Sequence, residues 1–327
     1  MRARWLGWLL ILFGAGSHAA SVDPALPPYE SRAFATPSDA AYVTKDGAVA
    51  IVGYNDMRAM LGDIAALFEA AHPGARLVLD LPGTRFAPAA LAAGTSALAP
   101  MGAEFTPPQL ALYRKATGSD PLEFRVAHAS LDPRALSGPL AIFVHRDNPV
   151  TALSLEQVAR AFSGEALRWG DLGATGEWVD RPVHAYGVER GTPLALFLQK
   201  MALAGRAFGP AMVGFPQSTD VVRHVGEDPL AIGFAAAMRT TPSVRMLALA
   251  AGDSDEPVAL TPENIAAGRY PLDRFLLIYA RRPLSSFARE FLRLVLSREG
   301  QEAVAASPQR YLPLSAKEAA LERAKLE

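Results

Sequence analysis

From residue 48 onward the chain alternates between short continuous apolar runs and stretches whose apolar positions recur every three or four residues. "AVAIVGY" (48–54) is apolar throughout, as a strand buried on both faces should be. "NDMRAMLGDIAALFEAAHPG" follows, with Met57, Met60, Leu61, Ile64, Leu67 and Phe68 on one helical face. His72-Pro73-Gly74 ends that helix. "ARLVLDLPG" (75–83) reads as a strand and "FAPAALAAG" as a short helix. "LAIFVHRD" (140–147) is a strand, and "SLEQVARAFSG" (154–164) a helix with Ser154 as its cap. "RPVHAYGV" and "TPLALFLQKMALAG" repeat the scheme, and "LAIGFAA", "VRMLALA" and "RFLLIYA" are late strands. "SSFAREFLRLVLSREGQEAVAAS" (285–307) predicts one long amphipathic helix. Strands alternating with helices imply an α/β fold, whose ligands bind beyond the carboxyl ends of strands, where helices begin.

Composition adds three constraints. The 327 residues suffice for one large domain or two ordinary ones, and 50% of them are apolar. Net charge is −1, which gives no electrostatic footprint for nucleic acid. There is no cysteine, so no disulfide supports the fold.

The N-terminus is of a different character. "MRAR" precedes "WLGWLLILFGAG", an apolar run too short to span a bilayer comfortably, and then "SHA". This pattern predicts a secretory signal over 1–19, cleaved after Ala19, and a mature chain in the periplasm without stable membrane insertion. Residues 20–45, rich in Pro, Ser and Ala without a period, read as a loosely ordered leader.

Three helix starts could hold an anion, because unpaired N–H groups and the positive dipole end gather there. In "GYNDM", Tyr54 ends a strand and Asn55 or Asp56 begins a helix. In "PGTRFAPAAL", Gly83 admits close approach, Thr84 offers a hydroxyl, and Arg85 a charged fork. In "YGVERGTPLALF" (186–197), Thr192 caps a helix whose first residue is Pro193. Gly191 removes bulk there and Arg190 supplies charge. Each stretch also fits an ordinary turn or helix cap.

Signs of catalysis are sparse. The six histidines form no i, i+4 pair, and neither a metal nor a cofactor motif is present. "HASLD", with His128, Ser130 and Asp132, is a local string, unlike the separated members of a triad. Trp169 and Trp178 read as packing residues rather than ligand platforms.

Five segments in order carry a family resemblance: "LAIFVHRDNPV", "LSLEQVARAFSGEALRWGDLG", "VVRHVGEDPLAIGFA", "YPLDRFLLIYARRPL" and "EFLRLVLSREGQEAV" with "RYLPLS". Over roughly 48–315 the chain resembles the PstS-type periplasmic phosphate-binding proteins of ABC transporters. The resemblance implies a two-lobe type II periplasmic-binding fold. Each lobe would be a mixed sheet flanked by helices, with the ligand cleft between them. One lobe would comprise 46–130 plus 236–327, the other 131–235. It implies a monomer that captures a small oxyanion, phosphate by default, and delivers it to an ABC permease.

The contact positions depart from the family pattern. Tyr54 stands at a serine position, Thr84 at another, and Arg85 and Phe86 replace Ser and Thr. Gly102 and Ala103 stand where Ser and Arg are usual. Val188 takes the place of the phosphate-clamping arginine, and Arg190 that of a serine. These departures keep a second reading open, a transport-inactive protein acting as a periplasmic sensor or partner-binding module. A hydrolase is the weakest reading.

Overall fold

The structure is a computed structural model that describes residues 21–35 and 39–327. The signal expected over 1–19 lies outside the described residues.

In chain order the first half runs β1 (Val49–Val52), α1 (Arg58–Ala71), β2 (Leu77–Asp80), α2 (Ala87–Ala93), β3 (Ala99–Met101), α3 (Pro107–Thr117), β4 (Leu122–His128), β5 (Leu140–His145), β6 (Ala152–Ser154) and α4 (Leu155–Ser163). The second half runs β7 (His184–Val188), α5 (Pro193–Met201), β8 (Val213–Phe215), α6 (Ser218–Glu227), β9 (Ala231–Ala236), β10 (Val244–Met246), β11 (Ala248–Ala250), α7 (Pro262–Ala266), β12 (Phe275–Ala280), α8 (Ser286–Val295), α9 (Arg298–Ala305) and α10 (Ala316–Arg323).

The largest sheet has the order β10-β5-β9-β7-β8. In it β5 is antiparallel to β9 and β10, while β7 is parallel to β8 and β9. A second sheet, β3-β12-β4, is antiparallel throughout. The pairs β1-β2 and β6-β11 are parallel. This is the α/β architecture that the hydrophobic pattern implied, with the mixed sheet that the family resemblance implied.

Two main apolar clusters hold these sheets. One gathers Phe143, Phe162, Trp169, Leu198 and Phe234, and it extends to Ile265, Tyr270 and Leu272. The other gathers Ile51, Ile64, Phe68, Phe124, Ile278, Phe291 and Tyr311. Full burial of each such side chain contributes about 1.5–3 kcal/mol. Trp169 is fully buried with its indole N–H on Leu230 O, and Trp178 meets it edge-on, so both pack as expected.

Two sequence expectations change. The helix read over 285–307 breaks into α8 and α9 at Ser297. The Ser297 hydroxyl donates to Leu294 O at 2.7 Å and accepts from Gly300 N, so it ends one helix and caps the next. Leu67, placed on the buried face of α1, is 39% exposed. Among its described residues the 20–45 stretch has one isolated bridge, at Val43, and several of them are tied to the body of the fold. Leu26 is buried, the Tyr29 hydroxyl donates to Glu290 Oε1 at 2.7 Å, and Arg298 Nη2 donates to Pro24 O at 2.9 Å.

Candidate functional site

Strand ends and helix starts from distant parts of the chain meet around one cavity of about 320 Å³. Tyr54 comes from just past β1, Thr84 from the turn before α2, and Gly102 and Ala103 from just past β3. Val188 closes β7, Thr192 to Leu194 open α5, Pro216 to Ser218 open α6, and Ala236 closes β9. Leu136, Ser137 and Arg274 complete the wall. The placement follows the general rule for sheets of this kind, in which ligands lie beyond the carboxyl ends of strands.

Two of these helices present their N-termini to the cavity. Thr192 caps α5, its hydroxyl donating to Glu189 O at 2.8 Å and accepting from Ala195 N at 3.4 Å. Gly191 makes the turn before it at φ 82°, a value that favours glycine. In α6 the N–H groups of Asp220 and Val221 turn back to Gln217 O. The first residues of a helix have no intrahelical acceptor, so the N–H groups of Leu194, Ser218 and Thr219 remain available.

Positive charge comes from Arg274, just before β12. It is 8% exposed, and among the described residues it takes part in no ion pair. Its Nη2 donates to Gly102 O at 3.3 Å, and its guanidinium lies 5.4 Å from the ring centre of Phe197 in α5. Burial pulls its pKa below the ordinary value, while Glu104, Tyr54 and Asp273 act in the opposite direction. Arginine stays protonated even so.

Hydroxyl groups surround this charge. Tyr54 OH lies 3.0 Å from Ser137 Oγ, which donates to Gly102 O at 3.0 Å. Burial pushes the Tyr54 hydroxyl up to about 12, so it remains a neutral donor. Gly102 is required here: a Cβ at this position would stand 2.4 Å from the Tyr54 ring and 2.6 Å from Ser137 Oγ. Tyr54 therefore occupies the space that a side chain at 102 would need. The Gly102 N–H donates to Thr84 Oγ1 at 3.2 Å, which ties the loop after β3 to the α2 turn.

Of the ligand contacts expected at the three helix starts, Tyr54, Thr84 and Thr192 line the cavity, while Asn55, Asp56, Gly83, Arg85, Arg190 and Gly191 do not; Gly102, Ala103 and Val188, noted as departures from the family pattern, line it as well. Asn55 is exposed. Gly83 and Gly191 shape the adjoining turns. Asp56 is buried behind the wall, where its Oδ2 accepts from the Leu136 N–H at 2.8 Å and from the Tyr311 hydroxyl. Arg85 is exposed and lies over the Phe86 ring, 4.7 Å from its centre. Arg190 points away, donating to Gly209 O at 2.6 Å, because those loop carbonyls lie within its reach. The charge expected from two loop arginines is thus supplied by a third that the sequence reading passed over. Its signal was a lone arginine at the head of the buried run "FLLIYA". Ser137, Gln217 and Ser218 were also missed, since each stands in an unremarkable polar turn.

The local string at 128–132 is not assembled for catalysis. His128 is fully buried, with Nδ1 2.6 Å from Asp273 and Nε2 3.2 Å from Glu318. Ser130 donates to Gln309 O at 2.5 Å, and Asp132 pairs with Arg134. Burial disfavours the His128 cation, but hydrogen bonds to the two carboxylates outweigh it and lift its pKa to about 9.

Comparison with known proteins agrees with this geometry. A sequence model described as a PBP superfamily domain matches residues 35–299. The phosphate-binding protein PstS of Pseudomonas aeruginosa is 31% identical over 316 residues, which covers 93% of this chain and 91% of that protein. The protein of the same name from Bacillus subtilis is 28% identical over 194 residues, 58% of this chain and 59% of that one. Among solved structures, an ABC-type phosphate transport receptor from Vibrio cholerae gives a TM-score of 0.54 at 18% identity, covering 80% of this chain and 98% of that one. PstS from Borrelia burgdorferi gives 0.54 at 15% identity, with 82% and 99% covered. At such identities the structural likeness speaks for the fold.

Proposed function

The chain belongs to the PBP superfamily and, within it, to the family of the PstS phosphate-binding proteins, and on that premise we propose that it captures phosphate in the cavity between its lobes for delivery to an ABC permease. The single observation that carries this reading is Arg274, a buried cation without a carboxylate partner, facing a cavity onto which two helix N-termini open.

An oxyanion entering the cavity meets donors from both apolar clusters' sides. Arg274 offers a charge-assisted hydrogen bond, and the starts of α5 and α6 offer backbone N–H groups with the favourable end of the dipole. Thr84 adds a neutral hydroxyl donor, its oxygen already accepting from the Gly102 N–H, while the Tyr54, Ser137 and Thr192 hydroxyls donate to protein oxygens. Closure of the lobes would then remove water from these contacts, which strengthens each of them. Membership of this family and the Arg274 charge at the cavity favour transport over a transport-inactive sensor.

The lobe division follows the two main apolar clusters. One lobe, expected over 131–235, includes the five-stranded sheet, and its apolar cluster draws in Ile265, Tyr270 and Leu272 as well. The other combines the N-terminal part from about residue 46 to 130 with the chain from β12 onward, supported by the cluster around Phe68 and Phe291. A periplasmic location and a monomeric state complete the reading. No helix among the described residues is long and apolar enough to cross a membrane.

Isothermal titration of the ligand-stripped chain with phosphate tests the reading. One site per chain with a dissociation constant of about 10 μM or tighter supports it, and absence of heat rejects it.

A further inference from the structure

Inorganic phosphate presents oxygen on every side, and an enclosing site serves it best with donors all round. This cavity is not built that way. Its donors lie around Arg274, Thr84 and the two helix starts, while Leu136, Val188, Pro193, Leu194 and Ala236 contribute apolar surface. Leu136 is 56% exposed, so its side chain is accessible to a ligand. Val188, at the end of β7, has a side chain with no hydrogen-bond donor to offer. A phosphate oxygen turned toward such a wall loses its water without gaining a partner, at a cost of about 1–3 kcal/mol.

We propose that the cavity accepts a monosubstituted phosphoryl group, a phosphonate or a phosphate monoester, with the anionic head at Arg274 and an apolar substituent against Leu136, Val188 and Leu194. The inference rests on the cavity being the phosphate site described above and narrows the class of ligand that fits it. The substituent removes one oxygen from the set that needs donors. It also covers apolar surface, which contributes about 25 cal/mol for each Å² withdrawn from water. The head keeps between one and two negative charges near neutral pH, so its attraction to Arg274 is retained. No covalent step is involved.

The test is a calorimetric comparison of inorganic phosphate with phenylphosphonate and methylphosphonate on the ligand-stripped chain. Phenylphosphonate binding within about tenfold of phosphate, or tighter, with methylphosphonate no tighter than phenylphosphonate, is the expected result. Phosphate binding accompanied by phenylphosphonate weaker by more than about tenfold overturns the inference and leaves the phosphate reading intact. Methylphosphonate tighter than phenylphosphonate overturns the role given to the apolar wall. Binding of phenylphosphonate without phosphate supports the inference and rejects inorganic phosphate as the ligand. Silence from all three anions rejects both. Leu194→Ser and Leu136→Ser supply a second readout, the ratio of the two affinities. Each should weaken phenylphosphonate at least about threefold more than phosphate, and an unchanged ratio in both variants counts against the apolar wall.

Discussion

The guanidinium of Arg274 lies 5.4 Å from the ring centre of Phe197, joining the loop before β12 to the helix whose first turn lines the cavity. A buried cation held by an aromatic face and one carbonyl, rather than by a carboxylate, keeps most of its hydrogen-bonding capacity for something else. Arg274→Gln should weaken phosphate by about 10- to 100-fold, the equivalent of a lost charge-assisted bond of roughly 1.5–3 kcal/mol. Titration calorimetry measures this, with a circular dichroism melt confirming that the variant folds. Unchanged affinity in a folded variant would remove Arg274 from the site.

Tyr54 and Gly102 are coupled by space. Gly102→Ser should destabilise the chain by about 1–3 kcal/mol through the clash with the Tyr54 ring and Ser137. Adding Tyr54→Ser should recover part of that loss. A double-mutant cycle in denaturant unfolding measures the interaction, and strictly additive effects would contradict the coupling.

Asp56 bears on anion choice. Phosphate carries a proton near neutral pH and sulfate does not, so a carboxylate in the cavity would reject sulfate. The Asp56 carboxylate is instead taken up by Tyr311 and the Leu136 N–H, outside the lining. Sulfate should therefore compete with phosphate within about tenfold, and Asp56→Asn should leave that ratio unchanged. Preference for phosphate beyond about 100-fold would place a proton acceptor in the cavity after all.

His128 predicts the pH dependence of stability. Its pKa is raised from 6.5 to about 9, so its contribution is complete below 6.5 and disappears as pH rises through 9. For Glu318, burial acts upward, but the hydrogen bond to His128 wins and holds the carboxyl at about 2 against an ordinary 4.5. Its contribution is complete above 4.5 and is lost as pH falls through 2. Unfolding free energy, followed in urea, should fall between pH 6.5 and 9, and less so in His128→Gln. That variant should also be less stable at pH 6, since Asp273 and Glu318 then face each other without the cation. A pH-independent wild type over that interval would contradict the buried cation.

Most strands and helices were legible because their signals are local. Ser154 and Thr192 cap helices where the residue pattern placed them, and "LAIFVH" and "AIGFAA" are strands buried on both faces. The break at Ser297 was obscured because the apolar period continues across it. The site was half legible for a related reason. Thr84 and Thr192 sit at helix starts, which sequence reveals, and they do share one cavity. Which arginine faces that cavity depends on partners remote in the chain. Arg190 finds the carbonyl of Gly209, and Arg85 lies on Phe86. Arg274 is carried inward by the buried strand that follows it. No local pattern distinguishes those three fates.

The most direct test is a crystal structure of the chain grown or soaked with phosphate. The account predicts one phosphate between Thr84 and Thr192, within hydrogen-bonding reach of the Arg274 guanidinium and of the first-turn N–H groups of α5 and α6. Phosphate held by Arg85 or Arg190 on the outer surface, with the cavity filled by water alone, would contradict it.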